Sequence, residues 1–189
     1  MLKQVLFVMA MAVSVLSCQR QDHSAPDWQE TADFVSRTLE HYGKYPVFGE
    51  PDYGDITGVT TTPDSLTFQF REPYRNPGSN VQFAQLIRVS IPLGALYVDS
   101  FKVVKSDWSS EERPLYNLNF YCLRGNGIRA TVTRDPSDQN SDGSLVKTED
   151  DNQWGINTLG DEETADQLAR ALKHLAILAG SPKGGLFNK

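Results

Sequence analysis

The segment "DQNSDGSLVKTE", residues 138–149, carries oxygen ligands at the spacing of a twelve-residue calcium loop: Asp138, Asn140, Asp142, Ser144 and Glu149. Side-chain oxygens at alternate positions can converge on one hard cation, with Ser144 offering its carbonyl. Gly143 allows the sharp turn, and Glu149 could close the site with two oxygens. The same composition also suits a solvated loop between two strands. Three features favour that plainer reading: "GIRATVTRDP" before it is strand-like, "DDNQWGIN" after it is a poor helix, and Val146 stands at the ninth position, where a polar group is usual. Calcium here would be a structural cofactor, and no other cofactor is implied.

Nucleophiles and proton carriers are sparse. The three histidines, His23, His41 and His174, show no spacing suited to a metal or a catalytic triad. Cys122 alternates with Tyr116, Leu118 and Phe120, which puts its thiol on an apolar strand face as an inert core group. Loop aromatics are a further candidate: Tyr45, Phe48, Tyr53 and Tyr74 could grip a peptide, glycan or lipid, or fold back as lids on the core.

The elements that must position these groups follow from periodicity. Asp27 and Glu30 have the form of a capping box, and Trp28, Ala32, Val35, Leu39 and Tyr42 recur at helical spacing, so a helix is expected over 28–42. Residues 43–55 sustain no period and read as a loop. From there to about 134 the chain alternates with period two between turn signals, as an antiparallel meander would. Its clearest hairpin is "YNLNFYCLRGNGIRATVT", with Asn126-Gly127 at the turn. "QWGINTL" is a further strand. Asp161, Glu162 and Glu163 then open a helix whose apolar stripe is Ala165, Leu168, Leu172, Leu175 and Ala179, stopped by Gly180 and Pro182. The expected fold class is α+β: an antiparallel β-barrel or sandwich flanked by an N-terminal and a C-terminal helix.

The first residues are of another kind. Lys3 precedes a charge-free apolar stretch, residues 5–16, that ends "VLSC". It is shorter than the roughly 20 residues that a membrane-spanning helix needs. Val15, Leu16, Ser17 and Cys18 resemble the lipobox of bacterial lipoproteins. The resemblance implies removal of residues 1–17 as a signal peptide, acylation of the Cys18 thiol, a lipidated tether over 18–27 and one globular domain over 28–189. Gln19, where aspartate would signal inner-membrane retention, implies a periplasm-facing place on the outer membrane where the cell is Gram-negative.

Removing residues 1–17 from 189 leaves 172, and loss of Lys3 moves the formal charge from −6 to −7. An acidic domain without a basic run repels phosphate backbones, which disfavours nucleic acid as a partner. Apolar residues at 39% and aromatics at 10% suffice for one packed core. With Cys18 lipidated, Cys122 has no cysteine to pair with.

The order of "FYCLRGNGIRATV", "DEETADQLARALKHLAILAG" and a trailing "GGLF" resembles uncharacterised bacterial proteins with a pleckstrin-homology-like barrel between two helices. That likeness implies a fold and no activity. The leading functional expectation is a non-enzymatic accessory or binding module of the cell envelope, with an envelope protein or amphipathic ligand as partner. The alternative is an envelope enzyme or small-ligand carrier whose site is assembled from distant residues.

Overall fold

The computed structural model describes residues 26–46, 53–75, 82–107, 109–122, 127–135, 137 and 143–182. In chain order the elements are α1 (Trp28–Tyr42), β1 (Gly43–Pro46), β2 (Tyr53–Asp55), β3 (Thr57–Thr61), β4 (Ser65–Arg75), β5 (Gln82–Pro92), β6 (Lys102–Lys105), β7 (Leu115–Tyr121), β8 (Ile128–Arg134), β9 (Leu145–Asp151), β10 (Gln153–Leu159) and α2 (Glu162–Leu178). Two short 3-10 turns, Leu93–Ala95 and Val98–Ser100, separate β5 from β6.

Both helices begin as the sequence predicts. The Asp27 carboxylate accepts the Glu30 N–H at 2.8 Å, and the Asp161 carboxylate accepts the Thr164 N–H at 2.8 Å. Each cap satisfies a donor that the first helical turn leaves unpaired. Those hydrogen bonds from Thr164 hold the Asp161 carboxyl below its usual range. At the other end of α2, Gly180 adopts φ 84° and lets the chain reverse, so that the Ser181 N–H reaches the Ala176 carbonyl at 2.9 Å. The Ser181 hydroxyl then donates to the Leu93 carbonyl at 2.6 Å, fastening the helix to the turn after β5.

The strands form two five-stranded antiparallel sheets, in the orders β2-β1-β10-β7-β6 and β3-β4-β5-β8-β9. Each keeps its own edges, so the architecture is an open sandwich and no closed barrel. The helices pack on each other; α1 lies over β3 and β1, and α2 over β6, β7 and the first 3-10 turn. Val35 and Leu39 of α1 and Leu168, Leu172 and Leu175 of α2 join Leu66, Phe68, Phe70, Val89, Leu118, Phe120, Ile128 and Ile156 in one buried core.

The predicted hairpin over residues 116–132 is not formed. Its arms are strands, but β7 pairs with β6 and β10, whereas β8 pairs with β5 and β9. Alternation specifies which face of a strand is buried and leaves its partner open. Here the apolar faces of the two arms meet across the sandwich, so the alternation is satisfied without the pairing. The meander holds for β3, β4 and β5, after which the chain crosses to the other sheet. Residues 43–55, read as loop, contain β1 and β2, whose pairing is imposed by β10 and carries no period of its own. Among the described residues no helix is long and apolar enough to cross a membrane.

Candidate functional site

The site grows out of a corner. β9 ends at Asp151 in the second sheet and β10 begins at Gln153 in the first, so the chain changes sheets across a single residue. The Asp151 carboxylate holds the bend by accepting the Asn152 and Gln153 N–H groups at 2.6 and 3.1 Å, as aspartate does in tight turns. Beyond the corner the strands diverge, and a cleft opens between β9 and the start of β10. Two adjoining hollows of about 290 and 420 Å³ share Asp151 and Trp154. Tyr45, Gln153 and Gly155 line one, and Ala130, Glu149 and Asp150 the other.

Register explains the lining. Directly paired residues share a face. Ile128, Ala130 and Val132 point inward from β8 and pair with Asp151, Glu149 and Lys147. The face of β9 continuous with the apolar interior therefore carries charge. Lys147 and Glu149 pair at 2.8 Å while both stay more than half exposed. Arg129 and Asp150 pair at 2.9 Å on the opposite face.

The floor of the cleft is aromatic. Tyr45 stacks on Phe70, with ring centroids 3.7 Å apart and planes 17° from parallel. Trp154, paired with Phe120, is half-buried, and its enclosed indole N–H meets no acceptor among the described residues. On β4 the inward row Leu66, Phe68, Phe70 ends in Glu72, a carboxylate where the alternation would place another apolar group. Burial raises the Glu72 carboxyl above its ordinary value, and the charge of Lys147 partly offsets this. Burial likewise raises the Tyr45 phenol, reinforced by the charges of Glu72 and then Glu149. These groups from β1, β4 and β9 are thus electrostatically one cluster.

The sign of the Glu72 effect is testable. Because the folded state keeps its proton to higher pH, Glu72 favours folding below the ordinary carboxylate value. That contribution is lost as pH rises through the raised one. Glu72→Gln removes the dependence, so urea midpoints of variant and wild type should diverge between pH 4 and 7, with the variant the more stable at pH 7. A variant that loses ground to wild type as pH rises would show that the carboxylate is stabilised in place.

Such a cleft can hold a cation by its carboxylates and aromatic faces. It is open and lacks histidine: His41 packs edge-on against Tyr42 at 4.5 Å, and His174 meets the Pro26 carbonyl at 3.1 Å. His174 also lines a separate, largely apolar groove of about 360 Å³ between α1 and α2, with Pro26, Phe34 and Arg170.

Of the residues singled out from sequence, Tyr45 and Glu149 line the cleft. Tyr53 lies in β2, paired with Pro46, and Tyr74 in β4, paired with Phe83. Phe48 lies outside the described residues, as do Cys18, Asp138, Asn140 and Asp142. The two described members of the calcium loop stand apart. The Ser144 carbonyl accepts the Arg134 N–H at 3.0 Å, and Glu149 sits five residues along, within the extended β9. At about 3.3 Å per residue that separates their backbones by roughly 16 Å. Among the described residues no three His, Cys, Asp or Glu side chains are grouped to hold a metal ion.

Cys122 is buried and free, and burial pushes its thiol up to about 11. Iodoacetamide should therefore leave Cys122 unmodified in the folded protein and modify it fully in denaturant, read by peptide mass mapping. Rapid native labelling would contradict this burial.

Glu72, Asp151 and Trp154 were not singled out from sequence. A readable signal existed for one: a charge on the apolar face of an alternating strand, as in "SLTFQFRE", marks a place where the interior must open. Neither protein-family models, curated protein sequences nor solved structures give a significant match to this chain.

Proposed function

We propose that the chain is a lipid-anchored module of the bacterial cell envelope whose sandwich domain binds a partner and performs no chemistry of its own. The observation that carries the binding role is the cleft at the β9–β10 corner. There, aromatic faces and carboxylates stand beside an exposed strand edge, an arrangement suited to capture and open to a large partner. The anchor rests on "VLSC" at residues 15–18, with Cys18 as the acylated residue and Gln19 favouring a periplasm-facing position on the outer membrane. The likeness to pleckstrin-homology-like proteins draws on two antiparallel sheets between two helices, as an open sandwich and not as a closed barrel.

A second reading, a small-ligand carrier or enzyme, draws support from the hollow of about 420 Å³ lined by Glu149, Asp150 and Asp151, and from the raised carboxyl of Glu72, whose charge acts on the Tyr45 of the adjoining hollow. Photo-crosslinking in intact cells separates the two. A binding module yields a discrete crosslinked protein from a probe at Gln153, and a carrier or enzyme of small molecules yields none.

A further inference from the structure

The nature of the partner can be read from the edge that frames the cleft. β9 pairs with β8 on one side and with no described strand on the other, and all seven of its residues are exposed. Around the corner, β10 pairs with β7 throughout, but β1 covers only Asn157 and Thr158 on its other side. The backbone of Gln153–Ile156 on that side is therefore also without a described partner. The two free edges meet at Asn152 and form one bent border around the hollow.

Edge strands expose backbone donors and acceptors that a further strand can complete. Proteins commonly guard such edges with charge, and β9 carries Lys147, Glu149, Asp150 and Asp151. The guard is one-sided. The walls of the two hollows include Glu149, Asp150 and Asp151 and no cationic side chain among the described residues. Lys147 and Arg129 reach the first two of these carboxylates, whereas among the described residues Asp151 accepts hydrogen bonds from backbone N–H groups alone. Tyr45 and Trp154 add aromatic surface beneath.

We propose that an extended, basic segment of a partner protein adds to β9 as a sixth strand, its alternate lysine or arginine side chains reaching the cleft of Tyr45, Glu149, Asp151 and Trp154. Strand addition would pair the backbone groups that β9 leaves without a described partner on the side away from β8. It also gives the charge on its cleft-facing side a use beyond blocking aggregation. Alternation fixes the recognition pattern, since only every second side chain of the added strand faces the cleft. The proposal rests on the binding-module reading and narrows it.

The test uses the full chain in detergent and three fluorescent peptides, read by anisotropy: alternating lysine and threonine, alternating glutamate and threonine, and the lysine peptide N-methylated at every second amide. The lysine peptide should bind at least about tenfold more tightly than either control, as charge selectivity and backbone pairing together require. Glu149→Gln combined with Asp151→Asn should weaken it several-fold, with the melting temperature unchanged as the control for folding. Equal binding of the lysine and glutamate peptides would overturn the charge assignment. Equal binding of the methylated peptide would overturn strand addition. Failure of all three peptides would overturn the inference as a whole while leaving the broader binding reading to stand or fall on crosslinking in cells.

Discussion

Replacing Cys18 with alanine is expected to abolish incorporation of radiolabelled palmitate and to move the protein from the membrane fraction to the soluble fraction. The expectation follows from the chemistry that the lipobox-like "VLSC" supports. A thiol is the side chain nucleophilic enough to form the thioether, and alanine offers nothing in its place. One acyl chain holds a protein to a bilayer only marginally, at about 0.8 kcal/mol per buried CH₂, and two or three hold it durably. Loss of the thiol should therefore remove attachment altogether. The folded domain should be untouched, because the described helices and strands lie at residue 28 or beyond. The variant should melt at the wild-type temperature. Unchanged palmitate labelling would end the lipoprotein reading, and a lowered melting temperature would show that residue 18 takes part in the fold.

Phe70→Ala should be among the most damaging substitutions in the domain. Its ring is 1% exposed at the centre of β4 and supports Tyr45 from below at 3.7 Å. Truncation leaves a cavity in a core built from both sheets and both helices, at a cost of about 3–5 kcal/mol. For a domain of this size the melting temperature should fall by on the order of 10 °C. The consequence extends to the site. Without Phe70, Tyr45 loses the surface that holds its ring, so affinity for the lysine peptide should also fall below the melting transition. Tyr121→Ala, at a residue 40% exposed, should change stability by less than about 0.5 kcal/mol. A loss of under about 1 kcal/mol at Phe70 would show that the interior closes around the cavity, and the stacking would then have no positioning role.

The parts of the fold that were legible in the sequence are those governed by local physics. Asp27 and Asp161 announce helix starts because a cap is a contact between residues three apart. The apolar stripes of both helices and the alternation along β4, β5, β7 and β8 are equally local. Pairing beyond the β3, β4 and β5 meander was not legible. The apolar faces of residues 116–122 and 128–132 would suit a hairpin or two opposed sheets equally well, and only the rest of the sandwich decides between them. β1, β2 and β9 escaped for a related reason: their strand character comes from a neighbour's edge, and "LVKTEDD" has no apolar face at all. The cleft was half visible. Tyr45 stood out as a loop aromatic and Glu149 as a candidate ligand, while Asp151 and Trp154 flank the corner where the chain changes sheets and Glu72 is tied to the site through the effect of its charge on Tyr45.

The binding role requires that the β9–β10 corner meet a partner when the protein is anchored. A photo-crosslinking residue at Gln153, on the cleft, can be compared in intact cells with one at Lys102, on the far edge of the first sheet. One recurrent crosslinked protein is expected from position 153, none from position 102, and loss of the 153 product in the Cys18→Ala background. Equal products from both positions, or none from 153 with the anchored protein present at normal abundance, would contradict it.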